Sequence, residues 1–322
     1  MEFFCKPCPA FRLTALLLLA ACMTVPIRAQ RGAHAHALPA AARPEVKNIF
    51  WQPDEVKQGS PVLISVELSG PAREVNGTWL GKRIRFAPSD KPRLWVALAG
   101  ADIDHQPGSS ELRVSATIHG RNVHLAKQIE VKEAQFGTGE VNVAQDYVNP
   151  TPEEQRQIAR DELLKKHAFE RLTPRPLWNG NFVKPVAAES TPSFGESRIM
   201  NEEKASRHLG TDFPVKEGTP VFASNAGVIV LAAPLFYEGN CVIIDHGDRL
   251  FTVYMHLQKL KVRRGERVRK HAEIGLSGRT GRVTGPHLHF ELSWNQVHLD
   301  PVQLLALTLP DRKLYEPRRA AP

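Results

Sequence analysis

Of the 13 histidines in this 322-residue chain, four fall in patterns that could assemble a reactive site. The patterns are His208-Leu209-Gly210-Thr211-Asp212, Tyr254-Met255-His256 and Gly285-Pro286-His287-Leu288-His289-Phe290-Glu291-Leu292. A strand sends alternate side chains to opposite faces, so His287, His289 and Glu291 share one side while Leu288, Phe290 and Leu292 face a core. Two imidazoles side by side on a buried face are costly unless a cation or a polar site receives them. Catalytic zinc takes three protein ligands, commonly nitrogen and carboxylate oxygen, and keeps a fourth position for water. His208, Asp212 and one histidine of the His287/His289 pair make such a set, with Gly210 allowing the turn that brings His208 and Asp212 to one ion. His256 and the other strand histidine are then left to move a proton or stabilise an oxyanion in metal-assisted hydrolysis.

The elements that must position these groups are mostly strands. From Leu177 the chain is a succession of short apolar runs, such as Val228-Ile229-Val230-Leu231 and Cys241-Val242-Ile243-Ile244, punctuated by glycines. No long helical period interrupts them, so residues 177–310 are expected to form a β-rich domain. Residues 46–132 alternate with period 2. Val62, Ile64, Val66 and Leu68 interleave with Leu63, Ser65 and Glu67, and His119-Gly120-Arg121-Asn122 reads as a hairpin turn. That pattern suits a small immunoglobulin-like β-sandwich used for spacing or binding. Between the two, residues 133–176 form a linker. Thr151-Pro152-Glu153-Glu154 predicts a capped helix that runs to Leu172. Ile158, Leu163, Leu164, Phe169 and Leu172 make a partial apolar stripe on it, and its charged residues read as a solvated face. The fold class is therefore mainly β.

The three histidine motifs together resemble the lysostaphin/LytM-type zinc endopeptidases, which cut peptide cross-links in bacterial peptidoglycan. Their surroundings are also similar: Gly218-Thr219-Pro220-Val221, Val242-Ile243-Ile244-Asp245-His246-Gly247, Gly275-Leu276-Ser277-Gly278 and Thr284-Gly285-Pro286-His287. Ser193-Phe194-Gly195 with Arg198 resembles the lead-in segment, and the likeness covers about residues 177–305. The resemblance implies the duplicated hybrid motif fold and one Zn2+ per chain held by His208, Asp212 and His289. It makes His256 and His287 the catalytic pair, and peptidoglycan stem peptides and cross-links the substrate. Glycine bridges and bonds from D-alanine to a diamino acid both lie within the family's range. Relatives that lose ligands act as activators of other wall hydrolases. The alternative reading is thus a non-catalytic wall-binding or amidase-activating protein, although all five positions are filled here.

The remaining candidates read as structural. His246 lies in a turn between apolar runs, His271 in a basic loop, and His298 before Asp300-Pro301. Tyr254, two residues from His256, is expected on the same strand face, either as a wall of the groove or as a phenol touching substrate. Glu291 shares the face of His287 and His289, where it either orients a neighbouring histidine or faces solvent. Cys241 reads as a small buried hydrophobe.

The N-terminus is read as an export signal over residues 1–29. Lys6 and Arg12 precede an apolar run, Leu13 to Val25, that is too short to span a membrane. Cleavage after Ala29 removes Lys6, Arg12 and Arg28 against Glu2, lowering the net charge from +8 to +6. It also leaves Cys241 alone among the four cysteines, so no internal disulfide is available. Leu19-Ala20-Ala21-Cys22 offers a competing lipobox, with a lipid anchor at Cys22. Residues 30–45 read as a flexible spacer, where His34 and His36 belong to the tail, and residues 311–322 as a C-terminal tail. The product is expected outside the cytoplasm, periplasmic or extracellular, or tethered as a lipoprotein. Its basic charge suits the anionic wall, and without a basic reading helix it does not suit nucleic acid.

Overall fold

The computed structural model describes residues 43–311. The expected signal, Cys22, nearly all of the spacer with His34 and His36, and the tail beyond 311 lie outside the described residues. Nine strands come first: β1 (Val46–Gln52), β2 (Val56–Lys57), β3 (Pro61–Leu68), β4 (Ala72–Trp79), β5 (Lys82–Arg85), β6 (Ala87–Pro88), β7 (Leu94–Gly100), β8 (Gly108–Ile118) and β9 (Arg121–Lys132). They form two sheets, in the orders β1-β3-β7-β6 and β2-β9-β8-β4-β5. Leu112, Val114, Ala116 and Ile118 alternate inward along β8. The β8–β9 hairpin turns on His119 and Gly120, both at positive φ, the geometry whose twist matches paired strands.

Residues 133–176, read from the sequence as a linker, contribute β10 (Thr138–Val141) and helix α1 (Pro152–Glu170). The Thr151 hydroxyl accepts from Glu154 N–H at 3.3 Å, and Glu154 Oε2 accepts from Thr151 N–H at 2.7 Å, a reciprocal cap. The helix does not dock through its leucines, since Leu163 and Leu164 are exposed. It docks through Asp161, Lys165 and Ala168, one face at helical spacing. Asp161 Oδ2 accepts from Phe236 N–H at 2.7 Å, Lys165 donates to Glu238, and Ala168 joins an apolar cluster with Phe251 and Val253. The charged run read as solvated is in part the docking face.

The remaining elements are β11 (Ser197–Met200), β12 (Lys204–Arg207), β13 (Gly210–Phe213), β14 (Pro220–Phe222), β15 (Gly227–Leu235), β16 (Gly239–Asp245), β17 (Leu250–Leu257), β18 (Lys259–Leu260), β19 (Arg267–Val268), β20 (Glu273–Leu276), β21 (Leu288–Trp294), β22 (Val297–Leu299) and α2 (Pro301–Ala306). The principal sheet runs β13-β21-β17-β16-β15-β19, with β22 on β21, and small sheets β14-β20-β18 and β10-β11-β12 flank it. Its apolar runs are buried on both faces. Val242, Ile244, Tyr254, Leu288 and Phe290 pack into one cluster, while Cys241, Ile243, Phe251 and Val253 pack into another beneath α1.

The two β modules share one hydrophobic core. Leu63 and Ser65, on the β3 face that alternation assigns to water, are buried. The cluster containing Leu63 takes in Trp294, Leu299, Leu304 and Leu309 from the C-terminal module. Asp300 N–H donates to Gly59 O at 2.7 Å and Ser60 Oγ to Gln303 Oε1 at 3.0 Å, which pins α2 against β3. Gly100 has no room for a Cβ because Leu299 occupies its place. Among the described residues no helix is long and apolar enough to cross a membrane.

Candidate metal centre and catalytic groove

Antiparallel pairing of β13 with β21 sets Asp212 directly opposite His289. His208 stands just before β13 and turns its ring onto the same point. His208 Nε2 lies 2.9 Å from His289 Nδ1 and 3.2 Å from Asp212 Oδ1, and His289 Nδ1 lies 2.9 Å from that oxygen. Gly210 makes this possible by being small, not by turning the chain. It sits within β13, and a Cβ there would fall 2.7 Å from His289 Nε2 and 2.5 Å from Phe290 O.

Each of the three side chains is fixed from behind. His208 Nδ1–H donates to Ser193 O at 2.8 Å, and His289 Nε2–H donates to Glu291 Oε1 at 3.0 Å. Arg198 Nη2 donates to Asp212 Oδ2 at 3.0 Å, leaving Oδ1 for the centre. Burial alone would raise the Asp212 pKa, but the hydrogen bonds from His208 and His289 hold it far below the usual carboxylate range. Burial alone would lower His289, but Asp212 and Glu291 push it up to about 9. The pocket is thus built to receive positive charge.

The donor set suits zinc. Two ring nitrogens and one carboxylate oxygen converge here, all within 4.8 Å of one another. Donors held ~2.1 Å from one tetrahedral ion stand roughly 3.4 Å apart, close to the separations above.

His256 and His287 flank this centre, with ring centroids 4.9 Å apart. His287 Nε2 is 3.6 Å from Asp212 Oδ1. His256 Nδ1–H donates to Thr280 O at 2.9 Å and His287 Nδ1–H to Gly285 O at 2.8 Å, so both neutral rings keep Nε2 for the groove. Burial, reinforced by the His289 and His287 rings, brings the His256 pKa down to about 3. Burial also lowers that of His287. Both rings are proton acceptors at neutral pH.

Strand alternation does not put Tyr254 beside His256. A bulge in β17, with Met255 and His256 opposite the single residue Cys241 of β16, places His256 at φ 63° and swings it to the groove side. Tyr254 faces the core, where its hydroxyl accepts from Ser224 N–H at 2.9 Å and touches no groove. His246 and Cys241 are fully buried and far from reactive roles, while His271 is exposed. Sequence reasoning passed over the carbonyls of Ser193, Thr280 and Gly285, which carry no side-chain signal, and the link from Arg198 to Asp212. It also passed over the helical wall. The groove, about 1010 Å3, is lined by the histidines, by Glu162 and Lys165 of α1 and by Arg198 and Met200 of β11.

Residues 206–301 match Peptidase family M23. A 108-residue stretch, 34% of this chain, is 45% identical to the peptidoglycan DD-endopeptidase ShyA of Vibrio cholerae and spans 24% of that protein. Another of 114 residues, 35% of this chain, is 39% identical to the DD-carboxypeptidase/endopeptidase Mpg of Neisseria meningitidis, spanning 26% of it. The chain thus spans about a quarter of the length of these curated relatives. A crystal structure described as a peptidase M23 from Pseudomonas aeruginosa superposes with a TM-score of 0.59 at 25% identity. It covers 78% of this chain and 96% of its own, so the likeness extends over both β modules.

Proposed function

We propose, from the premise that residues 206–301 are a peptidase M23 domain, that this protein is a zinc-dependent endopeptidase acting on the peptide cross-links of peptidoglycan in the cell envelope. The observation that carries the reading is the convergence of His208 Nε2, Asp212 Oδ1 and His289 Nδ1, with two neutral imidazoles beside them. His208, Asp212 and His289 would hold the metal. Zinc bound there supplies Lewis acidity and brings the pKa of a water toward ~7. His256 and His287 accept a proton at Nε2 during attack on the scissile carbonyl and return it to the leaving amine, their Nδ1–H groups staying on Thr280 O and Gly285 O. The groove walls keep the peptide in line with these rings. The N-terminal sheets, read as an immunoglobulin-like sandwich, and the helical linker serve as a fixed frame, the linker lending α1 to the groove.

Mass spectrometry of muropeptides released from purified sacculi tests the reading. Zinc-loaded protein is expected to open peptide cross-links, and a chelator to stop it. His256→Ala is expected to keep one zinc per chain and lose about 100-fold or more in rate. Zinc-loaded protein that releases nothing, yet stimulates an amidase, would point to an activator instead.

A further inference from the structure

Arg282 stands in the groove with no task in the chemistry above. Its guanidinium lies over the Tyr237 ring, 4.6 Å from the centroid, and its backbone N–H donates to Tyr237 O at 2.9 Å. Among the described residues no carboxylate forms an ion pair with it. Glu238, the acidic group nearby, is engaged by Lys165. The groove's Arg198 is held by Glu196 and Asp212.

The loop that carries Arg282 is the one whose Thr280 and Gly285 carbonyls orient His256 and His287. It is clamped to the turn before β16. A Cβ at Gly281 would overlap Gly239 N and lie 2.5 Å from Tyr237 O, and one at Gly239 would overlap Thr280 O. Backbones this close leave Arg282 little freedom to swing away. A partly buried guanidinium, backed by an aromatic ring and lacking a counter-charge, is a fixed fork for a carboxylate. Lost hydration makes an incoming anion worth more here than at an exposed rim.

We infer that Arg282 receives a carboxylate of the substrate peptide beside the scissile bond, and so selects acidic stem peptides over amidated ones. The inference rests on the endopeptidase reading. The anion is either the side-chain carboxylate of a cross-linking diamino acid or the terminal carboxylate of the peptide, which present the same chemistry.

Three synthetic cross-linked dimers separate the sources: one unmodified, one amidated at the diamino-acid side chain, one amidated at the terminus. The full-length zinc-loaded protein is expected to cleave one amidated dimer about tenfold or more less efficiently, which identifies the carboxylate. Arg282→Gln is expected to erase that preference through KM, with kcat changed by no more than about threefold, and with zinc content and Tm kept. Arg282→Lys, a point charge in place of the fork, is expected to keep part of the preference, and it carries the test if Arg282→Gln does not fold. A wild type indifferent to amidation, or a variant with the full wild-type preference, overturns the inference while the endopeptidase reading stands. A wild type that cleaves no dimer overturns both.

Discussion

Asp212 divides its two oxygens between two tasks. Oδ1 faces His208 and His289, while Oδ2 takes the Arg198 guanidinium, so the carboxylate cannot rotate away from the centre. Glu291 does the equivalent for His289 from the far side. Burial alone would raise its pKa, but the hydrogen bond from His289 holds it at about 2, and the carboxylate stays charged throughout the neutral range. Glu291→Ala is therefore expected to weaken zinc binding by about 10–100-fold with the fold intact, as read by competition with a chromophoric chelator. Unchanged affinity would reduce Glu291 to a bystander. The five side chains of the candidate site were legible in the sequence because residue types at this spacing suit a metal-binding set. Their supports were not. Carbonyls such as Ser193 O and Gly285 O belong to any residue type, and only the folded chain brings them to a ring.

Among the elements, β13 and β21 matter most, because their register fixes Asp212 against His289. Gly210 guards that register, and Gly210→Ala puts a methyl 2.5 Å from Phe290 O and 2.7 Å from His289 Nε2. It is expected to cost about 1–3 kcal/mol of stability and to lower zinc content, measured by denaturant unfolding and metal analysis. Wild-type values in both would show that the strands part without consequence. The sequence suggested a turn at Gly210 because glycine's freedom is the commoner reason for its presence, whereas lack of space leaves no local trace. Tyr254 failed for a related reason. The period-2 rule presumes an uninterrupted ladder, and His256 at φ 63° interrupts it. The leucines of α1 are among its most apolar residues, but partners in the turn between β15 and β16, Phe236 N–H and Glu238, decide that Asp161 and Lys165 face inward.

Over the whole molecule, one hydrophobic core runs from β3 to α2. Both β modules are accordingly expected to melt in a single calorimetric transition, and two resolved transitions would show separate cores. The acid side of that stability has an identifiable contributor in His246. Its Nδ1–H donates to Ala226 O at 2.8 Å, so Nε2 accepts from the Thr252 hydroxyl at 2.7 Å. Burial brings its pKa down to about 4, whereas the unfolded ring titrates near 6.5. The unfolded chain therefore takes up the proton first. The contribution is complete above pH ~6.5 and is lost as pH falls toward ~4, amounting to about 3 kcal/mol. His246→Gln should flatten Tm between pH 7 and 4.5, and a slope equal to wild type would assign the loss elsewhere. The shared core also limits what can be built from the parts. A polypeptide beginning at residue 177 would strip the C-terminal part of this shared core of its N-terminal half and bare Leu299, which packs on Gly100, leaving an apolar face prone to self-association. The C-terminal module is therefore no interchangeable cassette. Joining it to a different N-terminal module would first require resurfacing that face, or carrying the β1-β3-β7-β6 sheet along with it.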